Sequence, residues 1–247
     1  MSKDTQQLFI AAVLGILAML MLSGCGQRHR AVNPPDGSYL FIMQESMIAV
    51  CQQDQCMPAK MSLTGSGFVV ASGGGSSLAI TAGHVCSGPS ETSDRKVRVV
   101  AVGGSIYPAE IVLILENPDA CLLHIRGVHL PTVKMSDRPP SRGDRVFSFS
   151  SPGALFDADL VPKFEGFYAG PTTEIVSPEG TVRPVMDGYT IPAKPGSSGG
   201  PVFNRRGELI GMISMSRPGF ENFALSPTYA SVRAIVLAAK AKVGELP

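Results

Sequence analysis

From about residue 40 to 225 the apolar residues of this chain come in short runs separated by many glycines and prolines, and that punctuation suits short strands better than long helices. Gly 27 and Pro 20, in a chain without Trp, supply the turns. Thr64 to Ser72, rich in Val and Phe, and apolar Ser77 to Thr81 flank Gly73-Gly74-Gly75 and read as a hairpin. Further strands are predicted at Lys96 to Val102, Ile111 to Leu115, Cys121 to Ile125 and Arg145 to Phe149. A second series follows at Lys163 to Ala169, Arg183 to Thr190, Gly200 to Phe203 and Leu209 to Ser214. The polar, proline-bearing Ser136 to Gly143 marks a boundary between two β units. After Ser226-Pro227 the period changes: Val232, Ile235, Val236 and Val243 recur at helical spacing. One C-terminal helix, at about residues 227–243, is expected to pack on the second unit.

The start of the chain reads as a targeting segment. Lys3 precedes an apolar run from Leu8 to Leu22, shorter than the roughly 18 residues of a spanning helix. Leu22-Ser23-Gly24-Cys25 follows and resembles the lipobox of bacterial lipoproteins, in which the cysteine is diacylated and becomes the new N-terminus. The resemblance implies a signal peptide over residues 1–24, lipid on Cys25 and a polar tether to about residue 39, before a folded domain over 40–247. An ordinary cleaved signal peptide and an uncleaved anchor helix are the competing readings. Lys+Arg 21 against Asp+Glu 20 leaves a formal charge of +1, so no global field attracts nucleic acid.

Three motifs carry chemistry. In Pro195-Gly196-Ser197-Ser198-Gly199-Gly200-Pro201, glycines flank a serine pair. A serine hydroxyl needs a base to take its proton and backbone N–H groups to meet the developing oxyanion. Gly196 lacks the Cβ that would forbid turning its N–H and that of Ser198 toward one point. Ser198, directly before Gly-Gly-Pro, is the better nucleophile of the pair. In Ala79-Ile80-Thr81-Ala82-Gly83-His84-Val85-Cys86 a strand runs into small residues and ends at a histidine, the setting a catalytic imidazole needs. His29, His124 and His129 lack that approach. In Asn117-Pro118-Asp119-Ala120-Cys121-Leu122-Leu123 an acid opens an apolar strand, where it can orient the imidazole and fix its tautomer. Asp94, Asp137 and Asp144 are the fallback acids. With Cys25 lipidated, Cys51, Cys56, Cys86 and Cys121 remain, and four cysteines allow three pairings. The spacing of Cys51 and Cys56 suits a local bridge, while Cys86 and Cys121 each lie two residues beyond a proposed catalytic residue.

Together these residues resemble the chymotrypsin-like serine proteases, which carry His, Asp and Ser in this order. Gly65-Ser66-Gly67-Phe68-Val69-Val70 looks like the strand opening of bacterial Deg-type members. The resemblance, from about Met61 to Ser216, implies an all-β fold of two six-stranded antiparallel β-barrels, at about 40–135 and 143–225, with the site between them. It implies His84, Asp119 and Ser198 as the triad and the N–H groups of Gly196 and Ser198 as the oxyanion hole. Ile213-Ser214-Met215-Ser216 would pair with extended substrate, a protein or peptide. The specificity pocket would involve Thr190, Pro192, Lys194, Ser214, Met215 and Ser216. No metal or cofactor is required. Ser197 stands where zymogen-activated relatives place an aspartate, so that activation route is not expected, and neither is an appended PDZ-like domain. The implied function is an endopeptidase on the periplasmic face of a bacterial membrane. A non-cleaving peptide-binding module and an esterase on the same fold are the alternatives.

Overall fold

The computed structural model describes residues 37–52, 55–88, 93–157, 160–173, 175–176, 182–217 and 219–243. The segment bearing Cys25 lies outside the described residues. Among those described, no helix is long and apolar enough to cross a membrane.

The first unit is a closed barrel. Its strands are β1 (Tyr39–Gln52), β2 (Gln55–Gly73), β3 (Ser76–Thr81), β4 (Ser93–Ala101), β5 (Ile106–Leu115) and β6 (Ala120–Arg126), joined in the order β1-β2-β3-β6-β5-β4 and back to β1. All pairs are antiparallel. Leu40, Ile42, Val69, Ala79, Val99, Leu123 and Ile125 fill the interior as the pleat directs alternate side chains inward. Short helix α1 (Gly83–Ser87) follows β3. β1 and β2 continue as a two-stranded arm past the barrel, paired to its tip at Gln52↔Gln55, and Cys51 is bonded to Cys56 there. The second disulfide joins Cys86 of α1 to Cys121 of β6. The spacing of the four cysteines left their pairing open, and these two bonds resolve it.

The second unit is an eight-stranded sheet. It comprises β7 (Lys134–Met135), β8 (Arg145–Phe149), β9 (Lys163–Pro171), β12 (Met186–Tyr189), β13 (Pro201–Asn204), β14 (Glu208–Met212), β15 (Met215–Arg217) and β16 (Phe220–Pro227), in the order β15-β16-β12-β9-β8-β13-β14-β7. Where a second six-stranded antiparallel barrel was expected, the described strands form this eight-stranded, mostly antiparallel sheet. The two-residue β7 and three-residue β15 add to its ends, and β7 lies parallel to β14. A separate pair, β10 (Ile175–Val176) and β11 (Val182–Arg183), precedes β12. The single strand expected from Arg183 to Thr190 is therefore divided, at Pro184, which has no N–H for a ladder.

Helix α2 (Tyr229–Lys242) starts two residues after the predicted entrance, because Pro227 still pairs with Met186 in the sheet and Thr228 caps the helix through Ser231 N–H. The helix touches more than the second unit. Its Val232, Val236 and Ala239 share one apolar cluster with Phe68, Ile80 and Leu122 of the barrel and Phe203, Leu209 and Met212 of the sheet.

Candidate active site

α1 sets the position of His84. Gly83, just before it, sits where a Cβ would come within 2.7 Å of the Leu115 carbonyl oxygen and 2.9 Å of Asp119 Oδ1, so only glycine lets the segment approach the start of β6 this closely. Asp119, in the turn before β6, accepts from His84 twice: the backbone N–H at 2.9 Å on Oδ1, and ring Nδ1 at 2.8 Å on Oδ2. Ser214 Oγ donates to the same Oδ2 at 2.5 Å. Burial pushes the Asp119 carboxyl up, but the hydrogen bonds from His84 and Ser214 and the attraction of His84 outweigh it, holding the carboxyl below its ordinary 3.8. An ionised acceptor on Nδ1 leaves Nε2 as the ring nitrogen turned outward, free to accept a proton.

Ser198 lies in the irregular segment between β12 and β13. Gly199 (φ +86°) needs its glycine, since a Cβ would meet the Ser66 carbonyl oxygen at 2.0 Å. Gly196 (φ +94°) is equally constrained, with the Ser151 carbonyl oxygen 2.2 Å from a Cβ. Gly153 N–H donates to the Pro195 carbonyl at 2.7 Å, and Gly200 N–H to that of Ser197 at 2.9 Å. A trans peptide directs its N–H opposite to its C=O. The N–H groups of Gly196 and Ser198 are therefore aimed away from those anchors, and among the described residues neither meets a protein acceptor. The Ser198 hydroxyl donates to the Ser214 carbonyl at 3.4 Å.

His84, Gly196, Ser198, Lys194, Ser214, Met215 and Ser216 line one cleft of about 430 Å³. Thr190 and Pro192, expected in its wall, are not brought there. Tyr189 and Ile191 turn into the core, so alternation sends Thr190 to the other side, where its Oγ1 accepts the Phe167 N–H at 2.9 Å. Leu63, Thr64, Val85, Ala193 and Ile213 form the wall instead. Leu63 and Thr64 could have been read from their place directly before Gly65-Ser66-Gly67; Ile213 opens the stretch expected to pair with substrate, and Ala193 lies between the expected Pro192 and Lys194. Of the other histidines, His124 is buried in β6 with Nδ1 3.9 Å from Glu110. Of the fallback acids, Asp144 accepts the Ser141 N–H in its own turn. Among the described residues no group of three or more His, Cys, Asp or Glu is placed to hold a metal ion.

Comparison with known proteins agrees with the architecture. The family described as Trypsin-like peptidase domain matches residues 65–212. A Pseudomonas putida protein named "Probable periplasmic serine endoprotease DegP-like" is 32% identical over 161 residues, covering 61% of this chain and 28% of that protein. "Serine protease HTRA2, mitochondrial" of Bos taurus is 30% identical over 163 residues, covering 65% and 33%. The chain thus spans about a third or less of the curated relatives it matches. Among solved structures, "HtrA-type protease AlgW with decapeptide" superposes with a TM-score of 0.61 at 16% identity, covering 82% of this chain and 64% of that one, a likeness of fold.

Proposed function

Since this chain belongs to the trypsin-like peptidase family, we propose that it is a serine endopeptidase in which Ser198 is the nucleophile, His84 the general base and Asp119 the residue that orients the imidazole. One observation carries the reading: the twofold Asp119–His84 hydrogen bond opens on the same cleft as Ser198 and two unpartnered N–H groups. The Ser198 hydroxyl leaves the Ser214 carbonyl and gives its proton to His84 Nε2 as Oγ attacks the scissile carbonyl carbon. The carbonyl oxygen becomes an oxyanion between the N–H groups of Gly196 and Ser198. Collapse expels the amine, which takes the proton from His84, and leaves an acyl group on Ser198. Water, deprotonated by His84, repeats the sequence and releases the acid. The imidazolium formed at each step is stabilised by Asp119, already ionised at neutral pH.

The substrate is a protein or peptide laid in extended form against residues 214–216. The protease domain spans 40–247, and export places it on the periplasmic side of a bacterial membrane, held by lipid on Cys25. Two supports favour that location: the lipobox-like Leu22-Ser23-Gly24-Cys25 and the periplasmic designation of DegP-like relatives. A fluorophosphonate probe should label the wild type and not Ser198→Ala, and casein cleavage should vanish with the label. A folded wild type that neither labels nor cleaves would sink the peptidase reading. A Cys25→Ser protein that stays with the membrane would sink the lipid anchor.

A further inference from the structure

Ser197 brings no charge to the position where zymogen-activated relatives have an aspartate: it is buried, and its Oγ accepts from Lys194 N–H at 3.3 Å and from Ser150 Oγ at 3.4 Å. Something else must keep the Gly196–Ser197 peptide, which joins the two peptides bearing the oxyanion N–H groups, from turning over, because Gly196 at φ +94° has no side chain of its own to lock it.

Ser66, from the barrel, touches this segment twice. Its N–H donates to the Ser198 carbonyl at 2.7 Å, and its hydroxyl donates to the Gly196 carbonyl at 2.8 Å. A hydroxyl has one proton and two acceptor sites. With the proton committed to Gly196, the two contacts that remain on Ser66 Oγ, Ser151 N–H at 3.1 Å and Tyr39 Oη at 2.9 Å, must both donate to it. Tyr39 has then used its own proton, so its 2.6 Å contact with Ser151 Oγ is donated by Ser151. The directions are fixed without ambiguity: Ser151 to Tyr39, Tyr39 to Ser66, Ser66 to the Gly196 carbonyl. All three side chains are buried, Tyr39 to 5% exposure and both serines to 0%, where consecutive hydrogen bonds polarise one another and water cannot substitute. Burial, only partly offset by the Ser151 and Ser66 hydrogen bonds, pushes the Tyr39 phenol up to about 12, so its donated proton stays in place across the neutral range.

The chain also reaches the second carbonyl of the segment. Ser151 opens the 3-10 turn Pro152–Ala154, and Gly153 of that turn holds the Pro195 carbonyl. Fixing Ser151 from the barrel side therefore fixes the donor that aims the Gly196 N–H.

We propose that Ser66 is a positioning residue for the oxyanion site and that Tyr39 acts through it, a directional chain of neutral hydroxyls from the barrel fixing the Gly196–Ser197 peptide that links the two peptides bearing the oxyanion N–H groups. The proposal rests on the peptidase reading above.

The test compares wild type, Ser66→Ala, Tyr39→Phe and the double variant, in steady-state cleavage of labelled casein, inhibition by a peptide boronate and thermal unfolding. Ser66→Ala should lower kcat about 100-fold and Tyr39→Phe about 10-fold, with KM within about twofold, since the loss falls on the charge formed in the transition state. The boronate, whose tetrahedral adduct also uses the oxyanion site, should weaken by the same factors. The double variant should be no slower than Ser66→Ala alone. Folded variants with wild-type kcat, or with raised KM and unchanged kcat, overturn the proposal. Should Ser66→Ala not fold, Tyr39→Phe, which removes one oxygen, decides by the same criteria. An inactive wild type instead overturns the peptidase reading, whereas an active wild type with unaffected variants overturns only the positioning role.

Discussion

The two halves of the candidate site are held by different physics. On the barrel side, His84 and Asp119 stand on segments joined covalently by Cys86–Cys121, at a sequence separation of 35, and by the two hydrogen bonds between them. On the sheet side, the Ser198 segment has no regular structure and no disulfide among the described residues; its backbone is held by individual hydrogen bonds, one from Gly153, two from Ser66, one from its own Gly200 and a reciprocal pair between Gly199-Gly200 and Ile213. A stapled pair tolerates loosening around it. A segment suspended on individual donors does not, so atoms near Gly196 should matter far beyond their number.

That contrast can be broken in several places. The largest effect is expected from Asp119→Asn, which keeps the shape but loses the charge and the preference for the right tautomer; kcat should fall about 10⁴-fold with the fold intact. A loss under tenfold would mean that Asp119 does not orient His84. Next comes Gly196→Ala, whose Cβ would stand 2.2 Å from the Ser151 carbonyl oxygen at a φ of +94°. Measured kcat should drop about 10³-fold with little change in KM, and wild-type turnover would show that the segment is less constrained than its contacts imply. Removing the staple with Cys86→Ser and Cys121→Ser should reduce unfolding free energy by about 3 kcal/mol, from freed chain entropy. Denaturant titration reads this directly, and activity in the fraction still folded should survive, because the hydrogen bonds to Asp119 remain.

The smallest effect is a titration. In the sheet, Glu208 accepts from Asn204, Lys134 and Arg206, at 3.0, 2.8 and 2.8 Å. These donors, against the opposing effect of burial, hold its carboxyl at about 2, below the ordinary 4.5. A depressed carboxyl contributes stability that is fully present above 4.5 and is lost as pH falls toward 2. Since Lys134 and Arg206 are largely exposed, the loss should be on the order of 1–2 kcal/mol. Glu208→Gln should flatten stability across that window; an unchanged slope would place the acid sensitivity elsewhere.

Much of the fold was legible because strands buried on both faces, such as β3 and β6, read as unbroken apolar runs, and one that alternates, such as β8, reads by its period of two. β3, β6 and β8 lie where their apolar runs place them, to within a residue or so. β1 was not legible. Leu40 and Ile42 begin an inward alternation, but the next inward positions are Gln44 and Ser46, both buried, so the apolar period stops while the strand continues. The first half of β2 pairs with β1 alone in the projecting arm and has no core to face, which leaves an exposed stretch without pattern. Around the site, the motifs picked out His84 and Ser198, which line one cleft, and Asp119, which accepts from His84, since each has small or turn-forming neighbours that are visible in one dimension. Tyr39, Ser66 and Ser151 were hidden for the opposite reason. The partners of Tyr39 are 27 and 112 residues away, and even Ser66, which stands in a recognisable motif, carries nothing that announces which hydroxyls it will meet.

The connection between the units bears on how the cleft behaves. Val133 N–H donates to Val69 of the barrel, Ser136 N–H donates to Leu209 of the sheet, and β7 between them is itself a strand of that sheet. Tyr229 of α2 closes the same stretch through its hydroxyl to the Ser136 carbonyl at 2.7 Å. With Phe68, Ile80, Phe203 and Leu209 in one cluster, the join is welded rather than hinged. The jaws cannot part without exposing those side chains to water, so the width between His84 and Ser198 is a packing dimension, as fixed as the thickness of the core beneath it. A substitution at Leu209, remote from any substrate, would then detune the reaction in proportion to how far it lets that core relax.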